Sequence, residues 1–251
     1  MGFENLVRTK PEKVSQIFKI FDNLNVFKHP LLQVIVFSDT VLVFNKDDSW
    51  SKDYYVTYLI EFAQEMFYNL SLINVYFRAI ITLGKFHFFK YKNFQSYYGE
   101  ALIETYNDES QLEGFGLFIN KNLTNEVIVF DKIEYNEKYD FILLCQSYIN
   151  LFDDTKGKLP IQIDMFTETD KYYRIDEDLR FFREIQYLKD NYPSPRIRRK
   201  YQVVYDIYKE RTKEFFRKFE DEGFTPFTLN MDYMGSLSPF YTLAEEELQT
   251  I

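Results

Sequence analysis

Apolar residues recur along this chain with two alternating periods, and the switches between them mark the elements. Val14, Ile17, Phe18, Phe21 and Leu24 fall at helical spacing. Thr9 and Glu12 stand ahead of them as a capping box, and His29-Pro30 ends the pattern. Residues 31–37 and 40–45 are rich in Val, Leu, Ile and Phe and predict two strands joined by a turn at Ser38-Asp39. Asp53 then caps an expected helix with Val56, Leu59, Ile60, Ala63, Met66, Phe67 and Leu70 on one side. A β-prone run covers 73–89 with an interruption at Gly84. A further helix is expected from about Gly99, carrying Leu102, Thr105, Tyr106, Glu109 and Leu112.

Beyond it, 115–119 and 127–130 read as strands. Residues 139–152 read as helical through Ile142, Cys145 and Ile149. Residues 159–166 read as a strand that 172–175 could pair. Strands alternating with helices predict an α/β or α+β sheet with helices on one face. In the last third, Asp176 caps a helix bearing Leu179, Phe182, Ile185 and Leu188, and Pro193-Ser194-Pro195 breaks it. One long helix is then expected from about Arg196 to Glu222, with Ile197, Tyr201, Val204, Ile207, Tyr208, Phe215 and Phe219 along one side and Gly223 as its C-terminal cap.

Composition narrows the function classes. Of 251 residues, 46% are apolar and 20% aromatic, ample for a buried core. A formal charge of −9 argues against a general nucleic-acid binder, because phosphates are repelled. A single cysteine, Cys145, excludes an intrachain disulfide and a thiolate zinc cluster. With only His29 and His87, a histidine-rich metal site is not expected either. No apolar run approaches the ~20 residues needed to cross a bilayer. Met1-Gly2-Phe3-Glu4 has no basic start followed by an apolar stretch. The expectation is a cytoplasmic protein with no membrane and no nucleic-acid partner.

Four pieces in order carry a resemblance: Met1-Gly2-Phe3, the Ser38-Asp39 turn, Arg78-Ala79-Ile80-Ile81-Thr82-Leu83-Gly84, and Gly99 through Tyr106 and Glu109. Together they resemble a nucleotide cyclase homology domain, nearest in pattern to bacterial defence-associated cyclases that make cyclic pyrimidine nucleotides. The likeness covers roughly the first half of the chain. It departs from the family at Ala79, where the family has Gly, and at Thr105, where it has Ala.

The resemblance implies an α+β fold: a ferredoxin-like sheet with flanking helices over residues 1–175, then a helical extension over 176–223 and an irregular tail over 224–251. The helical extension and the tail lie outside the resemblance and are read from their own residue pattern. For the matched part, the resemblance implies a lyase converting a nucleoside triphosphate to a cyclic monophosphate and pyrophosphate. Two Mg²⁺ or Mn²⁺ ions would be held between two aspartates. Two domains would pair, as a homodimer or with a related cyclase domain. Asp39 matches the second metal aspartate. Arg78 is the candidate catalytic cation, with Lys85 as its alternative, and Gly84, Gly99 and Tyr106 are the candidate nucleotide-binding residues.

The first aspartate and first strand of the family pattern would precede Met1. Either the start is drawn too late, or the copy has lost the strand and repacked; the late start is favoured because Met1 falls where an internal Met sits in the motif. The positions of the family's helix Asn and Arg fall at Ile103 and Asn107, neither a cation. A catalytically inactive, partner-binding or nucleotide-sensing protein is the alternative.

Each candidate also has a plainer reading. Asp39 suits a hairpin turn, Arg78 an edge or internal ion pair, and Gly84 and Gly99 backbone geometry. Tyr106 and Glu109 suit helix packing or surface, and Cys145 suits a small buried hydrophobe. Arg196, Arg198, Arg199 and Lys200 make a basic knot at a helix start, where they oppose the helix dipole.

Overall fold

The computed structural model describes residues 3–161, 170–232 and 243–249, and the chain is α+β. It divides into two compact units, residues 1–76 with 125–129, and residues 77–124 with 130–251.

The first unit opens with α1 (Phe3–Thr9) and α2 (Pro11–Asn23). Lys10 rather than Thr9 occupies the N-cap of α2, and the Thr9 hydroxyl instead donates to the Asn5 carbonyl at 2.7 Å. Ile17, Phe21 and Leu24 are buried as the periodicity requires, while Phe18 stays exposed. Strands β1 (Leu32–Phe37) and β2 (Thr40–Asn45) form an antiparallel hairpin in register Leu32↔Asn45 to Phe37↔Thr40. Helix α3 (Lys52–Ser71) follows and buries Val56, Ile60, Ala63, Met66, Phe67 and Leu70. Its N-cap is Ser51, so Asp53 lies inside the first turn, where its charge still complements the helix dipole.

The second unit is built on a four-stranded mixed sheet, ordered β3 (Arg78–Ile81), β6 (Gly116–Asn120), β8 (Tyr139–Ile142), β7 (Lys132–Glu134). β3 runs parallel to β6, and β6 and β7 run antiparallel to β8. β6 and β8 are buried along their whole length, so they show no alternation of apolar and polar positions, and even the polar Asn120 and Asp140 are buried. A separate hairpin, β4 (His87–Lys90) with β5 (Gln95–Tyr98), precedes α4 (Glu100–Glu109).

Helices α5 (Gln146–Thr155), α6 (Ile175–Asn191) and α7 (Pro195–Asp221) carry the aromatic core of this unit. Phe182 contacts Tyr148, Tyr208 and Phe216 at ring-centroid distances of 4.8, 5.0 and 5.2 Å. Tyr208 reaches the sheet through Phe141 at 6.4 Å. The expected boundary at 175 therefore does not mark a separate extension: α6 and α7 belong to the same compact unit as the sheet. A short helix, α8 (Leu243–Gln249), lies in the expected tail, and the buried Glu184 carboxylate accepts the Leu243 and Ala244 amides, each at 2.9 Å.

Several local expectations are corrected. The β-prone run 73–89 is strand only at 78–81 and 87–90. Residues 127–130 form no strand, and Ile128 and Val129 are exposed. Residues 139–152 are not one helix: β8 ends at Ile142 and α5 starts at Gln146, because an apolar run buried on both faces fits either period. Of the expected strand 159–166, residues 159–161 are not strand and 162–166 lie outside the described residues. Residues 172–175 end a 3₁₀ turn and open α6, whose N-cap is Arg174 rather than Asp176.

The largest correction is in α7. Lys213 has φ 32° and ψ −104°, which divides it into two helices. Tyr205 Oη donates to Glu220 at 2.8 Å and Lys209 Nζ reaches the same carboxylate at 2.7 Å. Fifteen residues of straight helix span about 22 Å, so the second half folds back on the first. Gly223, with φ 67°, follows as expected just past the helix end. Among the described residues no helix is long and apolar enough to cross a membrane.

Candidate functional site

The Asp39 hairpin is built as its sequence demands. Phe37 pairs Thr40, leaving Ser38 and Asp39 as a two-residue turn. Ser38 takes φ 56°, as the turns that match strand twist require of a central residue. Asp39 stands exposed at the tip. Two divalent ions need several oxygen ligands each, and one carboxylate on a solvent-exposed tip provides neither the number nor the orientation. Among the described residues no group of three or more His, Cys, Asp and Glu side chains is arranged to hold a metal ion. Asp39 alone does not constitute the two-ion site.

The other candidates lie in the second unit. Arg78, on β3, turns its guanidinium to the far end of α4. Nη1 donates to the Glu109 carbonyl and carboxylate, both at 2.5 Å, and Nε and Nη2 donate to the Gly114 carbonyl at 3.2 and 2.9 Å. The side chain is only 11% exposed. Its fork is occupied by protein acceptors, and its role here is to lock the end of α4 and the following loop to the edge of the sheet.

Gly84 and Gly99 are spacers. A Cβ on Gly99 would sit 2.2 Å from the Lys85 carbonyl oxygen and 2.8 Å from the Phe86 Cα, and one on Gly84 would sit 3.0 Å from the Ala101 Cβ. The start of α4 thus lies directly on the 84–86 backbone, with the Ala101 amide donating to the Lys85 carbonyl at 3.4 Å. Glu100 places a carboxylate in the first turn. That charge complements the helix dipole and repels a phosphate from the same amides. Tyr106 points to solvent.

The structure adds a polar cluster that the sequence reading passed over. Lys138 Nζ bridges Asp108 at 2.6 Å and Glu104 at 2.5 Å, and the Tyr139 hydroxyl also donates to Asp108. The bonds to Asp108 and then Glu104 push the Lys138 pKa up. Burial raises the Asp108 carboxyl, but the bonds from Lys138 and Tyr139 outweigh it and hold it below the usual range. The available signal was the i,i+4 carboxylate pair on α4, facing a lysine thirty residues on.

A second cluster is closed to solvent. The Tyr208 hydroxyl accepts the Leu144 and Cys145 amides at 3.0 and 3.2 Å. Asp178, fully buried, accepts the Tyr148 amide at 2.9 Å. Burial first, then the Asp178 charge, pushes the Cys145 thiol well up, so no nucleophilic thiolate forms there. This cluster satisfies backbone amides at the start of α5 and joins it to α6 and α7.

The basic knot is partly internal. Arg199 pairs Glu113 at 3.2 Å and Arg198 donates to the Tyr192 carbonyl at 3.0 Å. No protein-family model, no curated protein and no solved structure matches this chain.

Proposed function

We propose that this chain is a nucleotide cyclase-like protein of the cytoplasm, ferredoxin-like in its finer arrangement. It acts on a nucleoside triphosphate, giving a cyclic monophosphate and pyrophosphate where a second carboxylate joins Asp39. The supporting observation is that three motifs of the resemblance fall on matching elements: Ser38-Asp39 at a hairpin tip, Arg78–Ile81 on a strand, and Gly99 at the start of a helix. An antiviral defence setting follows from the same resemblance. The purified chain is to be incubated with each of the four ribonucleoside triphosphates and Mn²⁺ and assayed for pyrophosphate. Release that is lost in Asp39→Ala supports the reading, and release unchanged by that substitution removes Asp39 from the chemistry.

A second reading, a catalytically inactive relative that senses a nucleotide or binds a partner, is favoured by the engagement of Arg78. Its guanidinium is held by Glu109 and Gly114, so this candidate cation has a structural task. Triphosphate binding measured by calorimetry without pyrophosphate release supports this alternative.

A further inference from the structure

The β4–β5 hairpin presents a paved aromatic face. Strand alternation sends His87, Phe89 and Tyr91 outward, and Tyr98 stands opposite His87. His87 and Tyr98 lie 5.2 Å apart, Phe89 and Tyr98 6.0 Å, and Tyr91 and Phe94 stack at 4.6 Å. Phe89, Tyr91, Phe94 and Tyr98 are 42%, 53%, 61% and 54% exposed. At roughly 200 Å² for a whole aromatic side chain, these four offer on the order of 400 Å² of apolar surface. Residues 85–98 contain Lys85, Lys90 and Lys92 and no carboxylate, in a chain of net charge −9.

The next element shows the opposite character. Helix α4 carries Glu100, Glu104, Asp108 and Glu109 and no base, and Lys138 and Arg78 neutralise part of that charge. Its Ile103 and Tyr106 are 64% and 80% exposed. One chain thus holds two exposed apolar surfaces of complementary charge. A two-fold dimer brings such surfaces together twice, hairpin on helix and helix on hairpin. Added together they offer on the order of 600 Å² per copy, approaching the roughly 800 Å² per partner of a stable interface.

We propose that the outer face of the β4–β5 hairpin docks on the Ile103–Tyr106 face of α4 in a second copy of this chain. Single-stranded nucleic acid also stacks on aromatic rings beside lysines. The chain's net charge of −9 repels a polyanion at every surface, whereas a second copy, though of like net charge, brings an acid-free hairpin to the carboxylates of α4. The inference deepens the cyclase-like reading only in its call for paired domains, and its test does not use turnover.

Sedimentation velocity of the full chain at tens of micromolar is expected to show twice the 30.5 kDa chain mass. The Phe89→Ser/Tyr91→Ser variant, altered only on the outer face, is expected to keep its circular dichroism and weaken the dimer at least tenfold. Lys92→Glu is expected to weaken it too, and combining Lys92→Glu with Glu100→Lys to restore it. A wild-type monomer at these concentrations overturns the proposal. So does a dimer indifferent to Phe89→Ser/Tyr91→Ser, or binding of a fluorescent oligothymidylate that this variant abolishes. A dimer without pyrophosphate release leaves the interface standing while the enzyme reading fails. Turnover by a monomer does the reverse.

Discussion

Tyr205 and Glu220 share a 2.8 Å hydrogen bond although fifteen residues separate them within one apolar-periodic stretch. The bond exists because the chain reverses at Lys213. The reversal lets Phe216 pack on Tyr205 at 5.0 Å and Phe182 at 5.2 Å, closing the aromatic core beside the sheet.

Glu220→Gln tests what that contact contributes. Burial raises the Glu220 carboxyl, but bonds from Lys209 and Tyr205 outweigh it and hold it below the usual range. A depressed carboxyl stabilises the fold above its unfolded pKa of about 4.3, and that stability is lost as pH falls through the folded value. The variant is expected to lose about 1 kcal/mol in urea melts at neutral pH. The difference from wild type should shrink towards zero as the pH drops below the folded carboxyl's range. A pH-independent difference would show that packing, not charge, holds the bend.

Lys213→Gly probes the bend itself. A φ of 32° is poorly suited to a residue with a Cβ and costs on the order of 1 kcal/mol. Glycine removes that strain, although its unfolded chain is more flexible. The substitution is expected to be neutral or stabilising in a denaturant titration, where glycine within a continuous helix would cost about 1 kcal/mol. A loss of that size would mean the helix is unbroken.

Arg78→Met separates a locking role from a chemical one. It leaves the Glu109 and Gly114 acceptors without their donor, and a stability loss of about 2 kcal/mol is expected in chemical denaturation. Arg78→Lys should recover only part of it, because an ammonium cannot fork between two acceptors. Wild-type stability in Arg78→Met would refute the locking role.

Gly99→Ala should be much costlier than Gly223→Ala. The first puts a Cβ 2.2 Å from a backbone oxygen and forces α4 off the 84–86 segment, while the second meets nothing within 4 Å and strains only a φ of 67°. Losses of roughly 3 and 1 kcal/mol are expected, read as melting temperatures. Equal shifts would mean that α4 does not rest on that backbone.

Local chemistry fixed what neighbouring residues could decide. Pro-Ser-Pro at 193–195 ended one helix and opened the next, Ser38-Asp39 made a two-residue hairpin, and Gly99 marked the head of α4. Each depends on backbone conformation within a few residues, which the residue types set directly. Tertiary packing decided the rest. The apolar stripe from Tyr201 to Phe219 stays in phase through Lys213, so nothing in its periodicity announces the reversal; the burial gained by Phe216 against Phe182 and Tyr205, with the Glu220 contacts, favours it. Residues 139–152 show the same limit, since a run buried on both faces does not declare its period until the sheet exists to receive its first half. The plainer reading of Arg78, an internally paired arginine on an edge strand, holds; which groups it pairs with was hidden, because its acceptors lie 31 and 36 residues away and the fold alone brings them within reach.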